Sequence, residues 1–260
     1  MWNRIDFAFM DRNDYIFGIR AVDEAIESGK TIDKLLVRRD LEGDLARDLL
    51  AKARRYGVLV QKVPVEKLNR ITMKNHQGVI ALMSAVRYHR LENLLPSLYE
   101  ERRVPFLMCL DGVTDTRNFG AIGRTADCSG VDGIVIPERN SASVTPDAMK
   151  TSAGALLYVP VCRERDLLTA VRMLRESGVK VVGATEKGAR RYTDIDYTVP
   201  VAIVMGNEEH GISDEVIRQC DELAAIPMAG NIGSLNVSVA AGVMMYEVVR
   251  QRNSDLTDLM

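Results

Sequence analysis

The chain has 260 residues, 47% of them apolar, with 34 basic and 36 acidic side chains for a net charge of −2. That apolar content supports one large folded domain or two smaller ones, and it excludes a disordered tail or a small disulfide-stapled module. Charged residues recur throughout, so no uncharged apolar run of about 18 residues offers a membrane span, and the opening MWNRIDFAFMDRND has no leader-like apolar core. A cytoplasmic protein without a membrane partner is the expectation.

Ile19, Val22, Ala25 and Ile26 recur at helical spacing, with Gly29 placed to end the helix. Leu35, Leu36 and Val37 read as a strand, 45–56 as an amphipathic helix ended by Gly57, and 58–63 as a strand stopped by Pro64. A helix over 65–71 and a strand over 79–86 complete a small α/β layer. Residues 87–103, with Pro96 between apolar pairs, read as a helix-containing linker. Domains are therefore expected at 1–90 and 104–260, with 91–103 between them.

The second half opens with a buried-type strand at 106–110 and continues through strands near 133–136, 158–162, 179–184, 201–205 and 223–226. Continuous apolar runs, rather than alternation, predict a sheet covered on both faces. Helices are expected over 164–177, stopped at Gly178, and over 236–252. In the last of these, Val237, Val239, Val243, Met244, Tyr246 and Val248 wrap more than one stripe. That helix is buried either in the core or against another subunit.

The overall charge does not suggest a nucleic-acid binder, but the halves differ: residues 1–103 hold 19 basic and 15 acidic side chains, the remainder 15 and 21. Within 52–74, Lys52, Arg54, Arg55, Lys62, Lys67, Arg70 and Lys74 face Glu66 alone. The asymmetry points to an anionic partner for the N-terminal part, or to a solvated helix face. Cys109, Cys128, Cys162 and Cys220 lack the two-residue gap of zinc and redox pairs and read as reduced core thiols. Three scattered histidines give no ligand spacing, so no metal is expected.

A βα pattern invites a nucleotide-cofactor fingerprint after the strand at 106–110. The chain there reads GVTDTRNFGAIGRTADCSG, without GxGxxG, and no Walker pattern occurs anywhere, which disfavours an ordinary dinucleotide enzyme. Glycines cluster instead in VMGNEEHGIS at 204–213 and IPMAGNIGSLNVSV at 226–239. Both segments follow apolar strands and precede helices, the places where α/β sheets bind ligands.

DTRNFGAIGRTAD, MGNEEHGIS and IPMAGNIGSLNVSVAAGVMMYE resemble the three motifs of the SpoU/TrmH RNA 2′-O-ribose methyltransferases of the SPOUT superfamily, in the family's order. IFGIRAVDEAI and NHQGVIALM resemble the start and end of the L30e-like substrate-binding domain of its ribosomal-RNA members. The resemblance implies an α/β fold: a mostly parallel, trefoil-knotted SPOUT domain preceded by a smaller L30e-like α/β domain. It further implies a homodimer, S-adenosyl-L-methionine as cofactor and 23S ribosomal RNA as partner, methylated at a guanosine. A tRNA substrate, a different 23S loop of the antibiotic-resistance type, and a non-catalytic RNA-binding relative are the alternatives.

By motif position, the resemblance assigns Gly206, Ile226 and Leu235 to the cofactor pocket, with Met228 beside them. Asn118, Arg124, Glu208, Ser234 and Asn236 match its catalytic polar positions. The family reading makes Arg124 a general base; a guanidinium keeps its proton in proteins, so a bidentate phosphate clamp is an equally economical role. Asn118 and Asn236 would orient the arginine or the hydroxyl. Glu208 would hold its loop, pair with a cation, or serve the helix start marked by Ser213 and Asp214. Thr116, Arg117 and Gly123 depart from the usual first motif, leaving the reactive groups in place. His76 is a candidate RNA contact and His210 a loop residue.

Overall fold

A computed structural model describes residues 15–186, 188 and 190–253; the stretch 1–14, read above as lacking a leader, lies outside the described residues. The chain divides into two compact units, Met1–Arg87 with Val144–Pro146, and Tyr88–Ser143 with Asp147–Met260.

In the first unit the elements are β1 (Tyr15–Phe17), α1 (Ile19–Glu27), β2 (Ile32–Arg38), α2 (Asp44–Arg55), β3 (Val60–Val63), α3 (Val65–Ile71) and β4 (Val79–Met83). The sheet runs β1-β4-β2-β3, with β2 and β3 parallel and the other pairs antiparallel. Helical spacing puts Val22, Ala25 and Ile26 of α1, and Leu49 and Ala53 of α2, against Leu35, Val37, Val79 and Ala81 on one sheet face. The other face carries Leu36, Val63 and Ile80 under Leu68 of α3. β4 stops at Met83, short of the expected 86, because Ser84 turns the chain: its Oγ donates to the Val86 carbonyl at 2.7 Å.

His76 is buried and belongs to this framework, which corrects its reading as an RNA contact. Its Nδ1 accepts the Gly78 N–H at 3.0 Å, so Nε2 carries the proton it shares with Asn69 Oδ1 at 2.9 Å. Burial and the nearby Arg38 hold its pKa below the ordinary histidine value. The turn it closes places Gln77 at φ 52°, from where Gln77 Oε1 accepts the Ile19 N–H at 3.0 Å and caps α1.

The second unit contains α4 (Leu91–Glu100), β5 (Phe106–Asp111), α5 (Thr116–Cys128), β6 (Gly133–Pro137), α6 (Pro146–Thr151), β7 (Val161–Glu164), α7 (Leu167–Glu176), β8 (Lys180–Ala184), β9 (Arg190–Arg191), β10 (Val201–Gly206), α8 (Asp214–Ile217), β11 (Glu222–Ala225) and α9 (Val237–Arg252). Its seven strands are parallel, in the order β7-β6-β5-β10-β8-β11-β9. The predicted strands are present, and the two-residue edge strand β9 was not foreseen. Leu107, Cys109, Val135, Val181, Ala202 and Val204 point to one face, packed with α4 and α7, while α5 and α9 cover the other. The fold is thus α/β, a mostly parallel unit with a smaller N-terminal α/β unit.

Residues read as linker are part of this second core. His89 pairs alongside β7, its N–H donating to the Val161 carbonyl at 2.8 Å, and Leu91, Leu95 and Leu98 of α4 are buried, with Pro96 inside the helix. Of the four cysteines, Cys109 and Cys162 are buried and Cys220 is half-buried. Cys128 is exposed on α5, so it is not a core thiol.

α9 is pinned at its end by Arg252, whose guanidinium donates to the carbonyls of Tyr197 (3.0 Å), Val104 (2.9 Å), Pro105 (3.1 Å) and Val199 (2.8 Å). Of its predicted apolar stripe, Val237, Met244 and Val248 are buried, whereas Val239 and Tyr246 are each 52% exposed. No helix among the described residues is long and apolar enough to cross a membrane, and no group of histidine, cysteine or acidic residues among them is arranged to hold a metal.

Candidate functional site

From β5 the chain builds β6 and β7 to one side, then returns so that β10 lies between β5 and β8. The carboxyl ends of β5 and β10 therefore meet at the point where strand order reverses, with Gly206 beside Asp111. In an open parallel sheet this is where a crevice forms.

The segment leaving β5 enters α5 through Asp115. Its Oδ1 accepts the N–H groups of Arg117 (2.9 Å) and Asn118 (2.8 Å), an N-cap that fixes Asn118 in the first helical turn. The segment leaving β10 is folded by Asn207. Its Oδ1 accepts the Glu209 N–H at 2.8 Å, its Nδ2 donates to the Gly112 carbonyl at 2.8 Å, and its main chain bonds Gly211 in both directions. Gly206 lets this loop close: a Cβ there would stand 2.1 Å from the Gly211 carbonyl carbon. Asp111 then anchors the loop's exit, accepting the Ser213 N–H at 2.8 Å.

The third strand-to-helix segment ends at Asn236, the N-cap of α9, whose Oδ1 accepts the Ser238 N–H at 2.9 Å. Asn236 Nδ2 donates to Asn118 Oδ1 at 3.0 Å, and Asn118 Nδ2 in turn donates to Glu208 Oε1. Three residues from three distant motifs thus form one relay, in which each amide has its orientation set by what it donates to. Burial, with Asp115 and Glu209 nearby, pushes the Glu208 carboxyl above the ordinary glutamate value. Glu208 does not cap α8, which begins after Ser213, so the helix-start role is set aside.

Arg124 lies outside the relay. It follows Asn118 by six residues on α5, which places it about 120° around the helix. It is exposed there, with no hydrogen bond or ion pair among the described residues. Ser234 is also exposed and outside the relay. Ile226 is half-buried beyond β11, and everything from 227 to 236 is exposed, including the apolar Met228 (38%), Ile232 (78%) and Leu235 (39%). His210 is exposed in its loop. Asp111, Asp115 and Asn207 were absent from the expected site. A capping signal was available for Asp115 and a turn signal for Asn207, each a polar residue ahead of a glycine-containing or helical stretch.

Residues 105–246 match the family model described as SpoU rRNA Methylase family, and residues 15–89 match that of RNA 2′-O ribose methyltransferase substrate binding. The chain is 41% identical over 238 residues to a TrmH family tRNA/rRNA methyltransferase of Staphylococcus haemolyticus, covering 92% of this chain and 96% of that one. It is 37% identical over 242 residues to the corresponding protein of Bacillus subtilis, covering 93% and 97%. Among solved structures it resembles the SpoU methyltransferase AviRb from Streptomyces viridochromogenes in complex with the cofactor AdoMet, with a TM-score of 0.59, 28% identity and coverage of 97% and 95%.

Proposed function

This chain belongs to the SpoU/TrmH family of S-adenosylmethionine-dependent RNA methyltransferases, and we propose that it methylates a ribose 2′-hydroxyl, that of a guanosine in 23S ribosomal RNA, as a cytoplasmic homodimer with a C-terminal trefoil knot. The observation that carries the reading is the Asn236–Asn118–Glu208 relay at the ends of β5 and β10, beside an exposed apolar segment. The match of residues 15–89 to a model of RNA 2′-O ribose methyltransferase substrate binding supports an RNA substrate methylated on a ribose.

The 226–235 segment fits the cofactor. Ile226, Met228 and Leu235 offer apolar surface to a flat adenine, and the glycines at 230 and 233 leave main-chain groups accessible. The main chain beside Gly206 completes this side. When bound, the cofactor supplies a methyl group on a sulfonium. The ribose hydroxyl must approach that carbon in line while losing its proton, so positioning dominates what the protein does. Asn118 and Asn236 hold the hydroxyl side of the site in register, Glu208 fixes the Asn118 amide, and Ser234 supplies a hydroxyl from the same exposed segment. Arg124 keeps its proton and clamps the neighbouring phosphate, steadying charge as it develops on the ribose oxygen.

A second copy of the chain accounts for Val239, Val243 and Tyr246, which lie at helical spacing along the outer side of α9. Arg124, turned away from its own relay, is then free to clamp the RNA phosphate beside the other copy's cofactor. Sedimentation at micromolar concentration tests this part, and a monomer there refutes it.

The deciding experiment is transfer of labelled methyl from S-adenosylmethionine to unmodified 23S, 16S and transfer RNA, with the modified nucleotide mapped. One 2′-O-methylguanosine in 23S RNA is expected. Label on transfer RNA or another 23S loop replaces the substrate, and cofactor binding without transfer to any RNA rejects the catalytic reading. Arg124→Ala should lower turnover by roughly 10² to 10⁴ with cofactor affinity retained. Near-normal turnover removes Arg124 from the chemistry.

A further inference from the structure

The first unit's sheet is covered unevenly. α1 and α2 pack one face, but among the described residues the other carries only α3, whose seven residues extend about 10 Å. Cross-strand register shows what this leaves. Phe17, Ile80 and Leu36 form one row across β1, β4 and β2, and Ile80 and Leu36 are buried under Leu68. The next row, Tyr15, Leu82 and Lys34, shares that face and is only half-buried. The Tyr15 and Phe17 rings stand 6.1 Å apart, and Lys74 Nζ lies 5.9 Å from the Phe17 centroid. From α3, Lys67 is half-buried and has no ion pair among the described residues. Burial and the charge of Lys34 hold its pKa below the ordinary lysine value. Lys34 meets Asp33, the extra residue of the β2 bulge, at 3.6 Å.

Aromatic rings interleaved with lysines, two of them crowded together at the surface, suit a partner that brings flat faces and negative charge at short intervals. A protein partner with apolar side chains alone would leave Lys67 uncompensated. We propose that this α3 side of the sheet is a docking strip for unpaired RNA, with a base stacked on Tyr15 and phosphates on Lys34, Lys67 and Lys74. The inference rests on the RNA-methylation reading and deepens it, because it selects single-stranded or looped RNA and names the face that grips it.

The test uses the full-length protein and fluorescein-labelled oligoribonucleotides, one single-stranded and one fully duplex, with anisotropy followed across salt. Single-stranded RNA should bind more tightly. Lys34→Gln with Lys67→Gln should weaken it about tenfold at low salt and flatten the log–log salt slope by about 1.4, the value for two lost phosphate contacts on a single strand. Tyr15→Leu, which keeps an apolar side chain in the row, should weaken binding by at least about fivefold, the loss of one stacked base. S-adenosylmethionine binding and the melting temperature of each variant report on folding. Folded variants with parental affinity and salt slope overturn the strip, as does a preference for duplex. Parental methyl transfer to RNA by those variants would discard the strip and leave the enzyme reading intact. Strip-dependent binding in a protein that methylates no RNA would do the reverse.

Discussion

Replacing Asn118 by aspartate changes one functional atom of the relay. The Nδ2 that donates to Glu208 becomes an oxygen, while the Oδ1 that accepts from Asn236 at 3.0 Å is kept. Two carboxylates then face each other at about 3 Å. Glu208 is exposed, so an effective dielectric of about 40 is appropriate, between the surface-pair and bulk-water values, and the repulsion is about 3 kcal/mol. The relay must then open or bind a proton. Partial desolvation, Asp115 and Glu209 already push the Glu208 carboxyl up, so a shared proton is held at a pH above the ordinary carboxylate range, and the protonated pair regains a donor. Asn118→Asp should therefore lower kcat/KM about 100-fold near pH 8.5 and recover at least about tenfold of it on moving toward pH 6. Single-turnover methyl transfer, with the parent's own pH profile divided out and cofactor affinity measured in parallel, reads this directly. A loss that is flat with pH and equal to that of Asn118→Ala would show that the bond to Glu208 is irrelevant. No loss at all would remove Asn118 from the site.

Arg252→Leu keeps apolar bulk but strands the carbonyls of Val104, Pro105, Tyr197 and Val199, three of these bonds being part-buried. At about 1 kcal/mol for each part-buried bond the cost is about 3 kcal/mol, a fall in Tm of roughly 6–12 °C in calorimetry, and a change below about 2 °C contradicts the pinning role. His76 has a depressed pKa in the folded chain, so its contribution to stability is complete above the unfolded value near 6.5 and is lost as pH falls through the lower folded value. His76→Asn keeps an acceptor for the Gly78 N–H without titrating, and urea midpoints compared at about pH 7.5 and pH 5 should show a shallower acid decline than the parent. An unchanged decline places the acid sensitivity elsewhere.

Much of the fold was legible because each element carries its own period. Val22, Ala25 and Ile26 announce a helix face, and the uninterrupted apolar run at 106–110 announces a strand buried on both sides. The reading weakened where a local signal was overruled by packing. Pro96 suggested a linker, yet three leucines of that segment have a hydrophobic core to join, and their burial outweighs a proline in the helix. Motif likeness selected Asn118, Glu208 and Asn236, but their mutual bonds depend on strand order, which no local pattern encodes. The same likeness selected Arg124 without saying that it lies on a helix and faces away from the relay. The residues that hold the relay, Asp115 and Asn207, were passed over because they act on main-chain groups rather than on a ligand.

The position of β10 has a consequence for how the protein comes into being. Synthesis from the N-terminus delivers β5, β6 and β7 in order, and these can zip together as they emerge. β8 follows, but both of its neighbours, β10 and β11, are still unmade. Only when β10 inserts beside β5, joining positions 111 and 206, does the sheet become continuous, and only with α9 does Asn236 reach Asn118. Such late, long-range pairing is slow, and a ribosome-bound chain stalled before its final helix has no route to the relay. The Asn236–Asn118 bond is thus among the last long-range contacts the growing polypeptide can complete.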